Sequence, residues 1–222
     1  MARVGRGLVV LAKWPRAGRA KRRLGAAIGA RASTALAQAF LRDTAVLARR
    51  STADTIVVAF APPSAAGRIA SVFAGARLIA QPPASFGTRL TVALDAGRAR
   101  ARYVVLIGTD SPTLDPRIVR DAFAALESGA DCVLGPSHDG GFYLIGCSAA
   151  LPPSLFRRMP WSTAAVFGLT RDRARAAGVK LVVLPPAYDV DDAASLELLR
   201  ADVAGLRRAR ATAAALRDLD GA

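Results

Sequence analysis

Three aspartates in this sequence stand where a cation could be held. Asp110 directly follows an apolar run, within the segment Gly-Thr-Asp-Ser-Pro-Thr-Leu of residues 108–114. Asp189 and Asp191 flank Val190, so in an extended segment their side chains project to the same side. Mg²⁺ is commonly bound by one or two carboxylates, and water and substrate phosphates complete its octahedral coordination. Both segments are therefore candidates for holding Mg²⁺ (or Mn²⁺).

Each acidic segment also has a purely structural interpretation. Asp110 could cap the turn that follows it, with Pro112 setting the bend. Taken alone, Asp110 favours this capping role. Asp191 or Asp192 could N-cap a helix that begins near Ala193. For the later segment, capping and cation binding are compatible.

A basic loop follows the first apolar run of the chain. Residues 12–24 read Ala-Lys-Trp-Pro-Arg-Ala-Gly-Arg-Ala-Lys-Arg-Arg-Leu. Lysine is a compact charge suited to phosphate oxygens, arginine clamps phosphates bidentately, and glycine lets the backbone approach a ligand. The P-loop spacing is missing, so a solvated basic loop is the alternative. The candidate nucleotide-binding residues are Ala12, Lys13, Gly18, Arg19, Lys21 and Arg23, and the candidate catalytic residues are Asp110 and Lys21.

A fourth unusual segment, residues 135–143, contains the double glycine Gly140-Gly141 and the only histidine, His138. The double glycine predicts a tight turn or a close approach to a ligand. A lone histidine is more often a structural polar group than a catalyst, and no Ser/His/Asp arrangement is evident.

The elements that must position these residues alternate between strand and helix. This alternation predicts one α/β domain, residues 1–222, with helices on both faces of a mixed, mostly parallel sheet. Strand 142–146 follows its predecessor too closely for a helical crossover, so we expect it to run antiparallel. Ligands of such sheets bind at the carboxyl ends of the strands, where all four segments lie. We predict strands at 7–12, 55–61, 77–81, 103–108, 131–135, 142–146 and 180–184, helices at 31–50, 65–73, 88–100, 117–128 and 163–177, and one or two terminal helices.

Composition and charge distribution argue against a nucleic-acid binder and a membrane-spanning protein. The chain has 222 residues, 52% of them hydrophobic, and a net charge of +14. Residues 1–50 carry +11 of that charge, so the chain lacks the uniform basic coat expected of a nucleic-acid binder. No apolar run is long enough to span a membrane. We read no signal peptide and expect a cytoplasmic protein with two buried thiols, Cys132 and Cys147.

Taken together, the motifs resemble the glycosyltransferase-A-like family of radical-SAM/selenodomain-associated transferases. They are similar, more distantly, to 2-phospho-L-lactate guanylyltransferase and molybdenum cofactor guanylyltransferase. The motifs are Gly108-Thr109-Asp110-Ser111-Pro112, Gly135-Pro136 with Asp139-Gly140-Gly141-Phe142-Tyr143-Leu144-Ile145-Gly146, Trp161-Ser162-Thr163 and Asp189-Val190-Asp191.

The resemblance implies a three-layer α/β/α Rossmann-like fold of the nucleotide-diphospho-sugar transferase superfamily (glycosyltransferase-A or nucleotidyltransferase type). It also implies a nucleotide on the first loop and a divalent metal at Asp110, completed by Asp189 or Asp191. We assign Asp139, Gly140, Gly141, Trp161, Ser162 and Thr163 to the acceptor side.

Three positions depart from the family pattern. Arg22 stands where the family usually has threonine, and His138 stands where it usually has an acid. Ser85-Phe86-Gly87 replaces a Gly-Asp-Leu-Gly pattern, which weakens any carry-over of base recognition to that segment.

Three functions compete. In the first, an NTP donates its nucleotidyl group to a small phosphorylated acceptor and releases pyrophosphate. In the second, a nucleotide-diphospho-sugar donates its sugar. The Asp-x-Asp typical of such enzymes after the central strand is absent, because Ser111 and Pro112 follow Asp110. This absence favours nucleotidyl transfer. The third, a non-enzymatic anion or nucleic-acid binder, lacks an aromatic stacking surface and a helix-turn-helix signal. The sequence does not specify an oligomeric state.

Overall fold

The computed structural model describes residues 4–221. Within this range seven strands form one sheet in the order β3-β2-β1-β4-β6-β5-β7. The strands are β1 Val4–Lys13, β2 Thr55–Ala61, β3 Arg77–Ala80, β4 Ala101–Ile107, β5 Cys132–Pro136, β6 Phe142–Cys147 and β7 Leu181–Val183. The helices are α1 Arg22–Ile28, α2 Ala30–Arg50, α3 Ala66–Val72, α4 Phe86–Arg98, α5 Pro116–Glu127, α6 Val166–Ala176, α7 Ala193–Ala201, α8 Val203–Arg208 and α9 Arg210–Asp220.

The sheet is mixed and mostly parallel, as the sequence predicts. Strand β6 pairs antiparallel with both β4 and β5, whereas the remaining pairings are parallel. Five residues separate β5 from β6, too few for the helical crossover that a parallel neighbour needs. The prediction that residues 142–146 run antiparallel is therefore confirmed.

Both faces of the sheet are covered, which confirms the three-layer α/β/α prediction. Strand β1 shows how the layers form, because its side chains alternate between the faces. Leu8 and Val10 pack in the cluster that contains residues of α2, α3 and α5. Val9 packs in the cluster that contains residues of α4. Each of these three side chains is fully buried.

Two element predictions are wrong. The basic loop was expected to run to Leu24, but residues from Arg22 onwards form α1. Only Leu24 of this seven-residue helix is buried, so it is too short for helical periodicity to be visible. The expected one or two terminal helices are three, α7, α8 and α9, because Asp202 and Ala209 interrupt the helical backbone between them.

A third cluster joins α1, α2, the terminal helices and the loop that follows β7. Leu24, Phe40 and Val190 are buried there together. Buried Asp43, the only acid of residues 1–50, accepts hydrogen bonds from the backbone N–H of Ala211 at 3.1 Å and that of Thr212 at 2.7 Å. It thereby fixes the beginning of α9 to α2. Within residues 4–221 no helix is long and apolar enough to cross a membrane.

Candidate active site

A cleft of about 770 Å³ opens at the carboxyl end of the sheet. Loops that follow β1, β4, β5 and β7 contribute to its walls, as the sequence predicts for a parallel sheet. The cleft therefore brings together segments that are far apart in the chain. Of the predicted site residues, those that line it are Ala12, Lys13, Arg19, Lys21, Asp110, Asp139, Gly141, Trp161, Ser162, Thr163, Asp189 and Asp191.

Lys21 is the charged centre of the cleft. Its ammonium pairs with Asp110 Oδ1 and lies 2.6 Å from Asp191 Oδ1. The lysine side chain is 8% exposed, whereas that of Asp110 is 50% exposed. One carboxylate is thus open to a ligand, while the ammonium that neutralises it is inside the protein.

The protonated form of Lys21 is favoured. Burial lowers the pKa of a lysine, but the negative charges of Asp110 and Asp191 outweigh burial and hold the pKa of Lys21 above its usual value. The backbone of Lys21 is in the left-handed region, with φ 45°. Such conformations in residues other than glycine concentrate at functional sites.

Asp189 lies deeper than the other two acids. Its Oδ1 accepts a hydrogen bond from the Ser111 hydroxyl, and its Oδ2 accepts one from the Ser137 hydroxyl at 2.7 Å. Burial raises the pKa of Asp189, and the negative charge of nearby Asp110 acts in the same direction. The two serine hydrogen bonds act against this rise. The charge on this carboxylate is therefore costly in the folded state.

Backbone hydrogen bonds hold the loops that carry Asp110, Asp191 and Lys21 against one another. The Val190 N–H donates to the Asp110 carbonyl at 2.9 Å, and the Leu24 N–H donates to the Asp191 carbonyl at 3.0 Å. The capping prediction for the later segment holds for Asp192, which N-caps α7 and forms a capping box with Ser195. Asp191 is left free for Lys21. Asp115 rather than Asp110 caps α5.

The first loop presents several basic side chains to the cleft. Lys13 and Arg19 are exposed there, and neither forms an ion pair with a described residue. Gly18, with φ 70°, sits at the turn of this loop and outside the cleft lining. Arg23 is also outside the lining, 67% exposed, with Nη2 3.5 Å from Asp191 Oδ2.

The loop between β5 and β6 is docked on the beginning of α6. The Phe167 N–H donates to the Gly140 carbonyl at 2.8 Å. A Cβ at Gly140 would collide with the backbone of Ala164, so only glycine allows this contact. Gly140 therefore supports the loop from outside the cleft, while Asp139 and Gly141 face into it.

Trp161 closes one side of the cleft with other aromatic rings. Its ring centroid lies 4.7 Å from that of Phe86 in an edge-on arrangement, and 6.4 Å from that of Phe142. Gly87 is in the same contact, because a Cβ there would lie 3.3 Å from the indole. The next residue, Ser162, has φ 65° and lines the cleft. The predicted acceptor-side residues thus also adjoin the start of α4.

Among the cleft residues that sequence reasoning missed are Gln81 and Arg89. The Gln81 amide donates to the carbonyls of Ala12 at 2.9 Å and Ala59 at 2.8 Å, across the ends of β1 and β2. Its Oε1 accepts a hydrogen bond from Arg89 Nη1 at 3.3 Å. The available signal was a glutamine as the last residue of a predicted strand, which is weak on its own.

The oxygen donors around Asp110 suit a hard cation such as Mg²⁺. In the described part of the chain, no group of three or more His, Cys, Asp or Glu residues is arranged to hold an ion. Lys21 instead takes one oxygen each of Asp110 and Asp191. A half-exposed carboxylate facing a cleft fits a cation that keeps water and substrate phosphates as its other ligands.

Comparison with solved structures finds several proteins with a similar fold. The chain is similar to a protein assigned as a nucleotide-diphospho-sugar transferase from Desulfovibrio desulfuricans G20, with a TM-score of 0.88 and 27% identity over 98% of this chain and 96% of that one. It is also similar in fold to a cytidylyltransferase from Leptospira borgpetersenii serovar Hardjo-bovis (strain JB197), with a TM-score of 0.61 and 14% identity over 98% and 94%. CMP:2-keto-3-deoxy-manno-octonic acid synthetase complexed with CTP aligns with a TM-score of 0.55 and 16% identity over 90% and 98%.

Fold and cleft together define a transferase of the nucleotide-diphospho-sugar transferase superfamily, as the motifs predicted. The family model described as "Uncharacterized protein conserved in bacteria (DUF2064)" matches residues 25–163, more than half of the chain. The chain belongs to this family. No curated protein matches it.

Proposed function

We propose that the protein transfers a nucleotidyl group from an NTP to a small phosphorylated acceptor and releases pyrophosphate. The observation that carries the proposal is the buried Lys21 ammonium beside half-exposed Asp110, at the end of a loop with further basic side chains. A cation and a carboxylate side by side suit a phosphate chain that brings its own metal ion. The CTP complex of a protein with the same fold supports this use of the cleft.

The proposed chemistry needs positioning and charge stabilisation more than a protein nucleophile. An oxygen of the acceptor phosphate attacks the α-phosphorus and forms the new P–O bond. The bond between the α-phosphorus and the bridging oxygen breaks, and its electron pair leaves with pyrophosphate. Lys13 and Arg19 bind the outer phosphates. Lys21 donates to an α-phosphate oxygen, where negative charge develops in the transition state.

Asp110 would hold the divalent cation, Mg²⁺ or Mn²⁺, with Asp189 or Asp191 as a further acidic partner. When bound, such an ion supplies Lewis-acid stabilisation of the phosphates and a template for their orientation. Asp139 and the residues Trp161, Ser162 and Thr163 bound the space left for the acceptor.

Glycosyl transfer from a nucleotide-diphospho-sugar is the second candidate. The observation that favours it is the 27% identity with the D. desulfuricans protein over nearly the whole chain. Against it, Ser111 and Pro112 follow Asp110, and Ser111 donates its hydroxyl to Asp189, so the Asp-x-Asp spacing is absent after β4. We therefore place nucleotidyl transfer first.

A thermal-shift panel of NTPs and nucleotide sugars, with and without Mg²⁺, tests the proposal. A ligand that binds only the folded state stabilises it by roughly 2.7 kcal/mol at a hundred times its Kd. We expect the largest shift from one NTP in the presence of Mg²⁺. A larger shift from a nucleotide sugar would favour glycosyl transfer, and no shift from either class would contradict both.

A further inference from the structure

The cleft contains a second cation, Arg89, that the proposed nucleotidyl transfer does not use. Arg89 is the fourth residue of α4 and lines the cleft. Among described residues, no carboxylate lies within 4 Å of its guanidinium. Its Nη1 donates to the neutral Gln81 amide oxygen, and its Nε is buried without a partner. The guanidinium edge that clamps a carboxylate or phosphate thus lacks an acceptor.

The position of Arg89 is unfavourable for stability alone. A cation near the N-terminus of a helix opposes the helix dipole, where an acid would be stabilising. A partly buried charge without an opposite charge also loses hydration without compensation. Both costs are removed when an anion binds.

The surroundings of Arg89 are built to hold it in place. Gln81 is 9% exposed, and its amide is fixed by two strand carbonyls, so its oxygen points at Arg89 from a rigid base. The Arg89 guanidinium carbon lies 5.6 Å from the Phe86 ring centroid. Phe86 in turn packs against Trp161. An arginine fixed by an amide and an aromatic ring is a preorganised binding group.

The elements that carry Arg89 and Lys21 pack in different hydrophobic clusters. Phe86 and Leu90, which flank Arg89, pack in the cluster on the α4 face. Leu24, one turn from Lys21, packs in the cluster with α2 and the terminal helices. Lys21 is moreover neutralised by Asp110 and Asp191, whereas Arg89 has no such partner. Arg89, unlike Lys21, therefore keeps its full charge available to an anionic group.

We propose that Arg89, oriented by Gln81 and Phe86, binds an anionic group of the substrate, a phosphate or a carboxylate, at the Trp161 side of the cleft. This group is distinct from the donor phosphates assigned to Lys13 and Lys21. That the anion belongs to a substrate rests on the proposed function, but the binding site itself does not. The inference thus restricts the substrate to a molecule with a second anionic group.

Trp161 provides a local reporter for this site. The chain has two tryptophans, so Trp14→Phe leaves Trp161 as the only one. In that background, inorganic phosphate and malonate are titrated separately at constant ionic strength, without nucleotide or Mg²⁺. We expect a saturable change in Trp161 emission with at least one anion. The anion bound more tightly indicates whether the natural group is a phosphate or a carboxylate.

Arg89→Gln should weaken this binding about tenfold to a hundredfold, the usual effect of losing a charge-assisted hydrogen bond. Arg98→Gln is the matched control, because it removes the same charge from the last residue of α4, where Arg98 pairs with Asp95 at 2.9 Å. Lys13→Ala tests whether the response comes from the first loop. Arg98→Gln should retain the affinity within about twofold, since its charge lies at the other end of α4. A loss in Lys13→Ala as large as that in Arg89→Gln would place the response on the first loop instead.

Three results would overturn the proposal: no saturable response to either anion, unchanged affinity in Arg89→Gln, or an equal loss in a control variant. If Arg89→Gln fails to fold, Arg89→Lys replaces it. Lysine keeps the charge but loses the planar fork, so the affinity should still fall severalfold. Equal affinity in Arg89→Lys would then overturn the proposal. Since no nucleotide is present, failure here leaves the test of nucleotidyl transfer unaffected.

Discussion

Asp110 offers the most direct test among single side chains, because its carboxylate is half exposed in the cleft beside a buried ammonium. We expect Asp110→Asn to lower Mg²⁺-dependent turnover at least about a hundredfold, since a bound metal supplies several kcal/mol of transition-state stabilisation. Thermal unfolding should show an intact fold. Turnover close to that of the parent protein would remove Asp110 from the reaction.

Asp115 is the matched control for this variant. It lies five residues further along the same loop, and its side chain accepts a hydrogen bond from the Arg117 N–H at 2.8 Å at the beginning of α5. Asp115→Ala should lose about 1 kcal/mol of stability, as expected for an N-cap, and keep its turnover. The pair separates a catalytic from a structural aspartate.

Asp189 should show the opposite relation between stability and function. Burial raises the folded-state pKa of Asp189 above the unfolded value of 3.8, so folding favours the protonated carboxyl. Asp189 therefore contributes to stability below that pH, and the contribution is lost as the pH rises through the folded-state pKa. Asp189→Asn should therefore raise the unfolding temperature at pH 7, and the gain should shrink at about pH 4 and below. The hydroxyls of Ser111 and Ser137 can each accept as well as donate, so they can accommodate the amide. A lower unfolding temperature at pH 7 would contradict this reasoning.

Asp191→Asn is the companion variant, because Asp191 pairs with Lys21 and with Arg23. It should lower the unfolding temperature at pH 7, since it leaves the buried ammonium with one partner. If either later acid shares the metal, at least one of the two variants must also raise the Mg²⁺ concentration needed for turnover. A change in stability alone in both variants would confine these acids to a structural role.

Single residues were predictable from sequence where type and position coincide. Lys13 ends β1, Asp110 lies just beyond β4, and Lys21 lies in the loop that follows β1, so their place at the carboxyl end of the sheet follows from the topology. The ion pair of Lys21 with Asp191 was not predictable, because it joins residues 170 positions apart through a short helix that was not foreseen. Arg89 was missed because an arginine in a helix is usually solvated, and only Gln81 and Phe86 distinguish it.

Among the loops and helices, the contact of the β5–β6 loop with α6 depends on Gly140. Gly140→Ala should cost more than the roughly 1–2 kcal/mol of a left-handed alanine, because its Cβ would also collide with Ala164. It should also lower turnover by moving Asp139. Gly178→Ala is the control, because Gly178 has φ 68° and nothing lies within 4 Å of the added Cβ. It should therefore lose only the stability that a left-handed alanine backbone costs. Equal losses in urea unfolding would show that the loop contact is unimportant.

Elements with a local pattern were predicted, including the short strands β3 and β7, whereas the seven-residue helix α1 was not. Strands β1 and β4 are apolar runs ended by polar residues, and their places in the sheet follow from the alternation with helices. Helix α1 buries a single side chain, so its existence depends on Leu24 docking against Phe40 and Val190 rather than on any local pattern. Tertiary contacts of this kind cannot be read from a seven-residue window.

Over the whole molecule, positive charge is concentrated where the cleft needs it. Residues 1–50 carry +11 of the net +14, and the loop that follows β1 brings Lys13, Arg16, Arg19 and Lys21 to the cleft. Asp110, Asp189 and Asp191 face the same space. This mixture favours a phosphate chain with its metal ion over a long nucleic-acid backbone, which the acids would repel.

The three lysines of the chain test this charge distribution. Lys13 and Lys21 line the cleft, whereas Lys180 precedes β7 at the opposite end of the sheet. Lys13→Ala and Lys21→Ala should weaken nucleotide binding by roughly 1.5–3 kcal/mol, about tenfold to a hundredfold. Lys180→Ala, which removes an equal charge, should leave the affinity almost unchanged.

The dependence on phosphate number distinguishes a specific site from general attraction. Isothermal titration of each variant against nucleoside mono-, di- and triphosphate, with Mg²⁺ present, gives this dependence. For nucleotidyl transfer the loss of affinity in Lys13→Ala should grow from mono- to triphosphate, because more phosphate oxygens lie along the loop. For glycosyl transfer it should peak with a nucleotide-diphospho-sugar. If the basic loop is only solvated, the loss of affinity should be small, should not depend on the number of phosphates and should disappear at high salt. That last result would remove the loop from the active site and leave a cation at Asp110 without the donor phosphates that would complete its coordination.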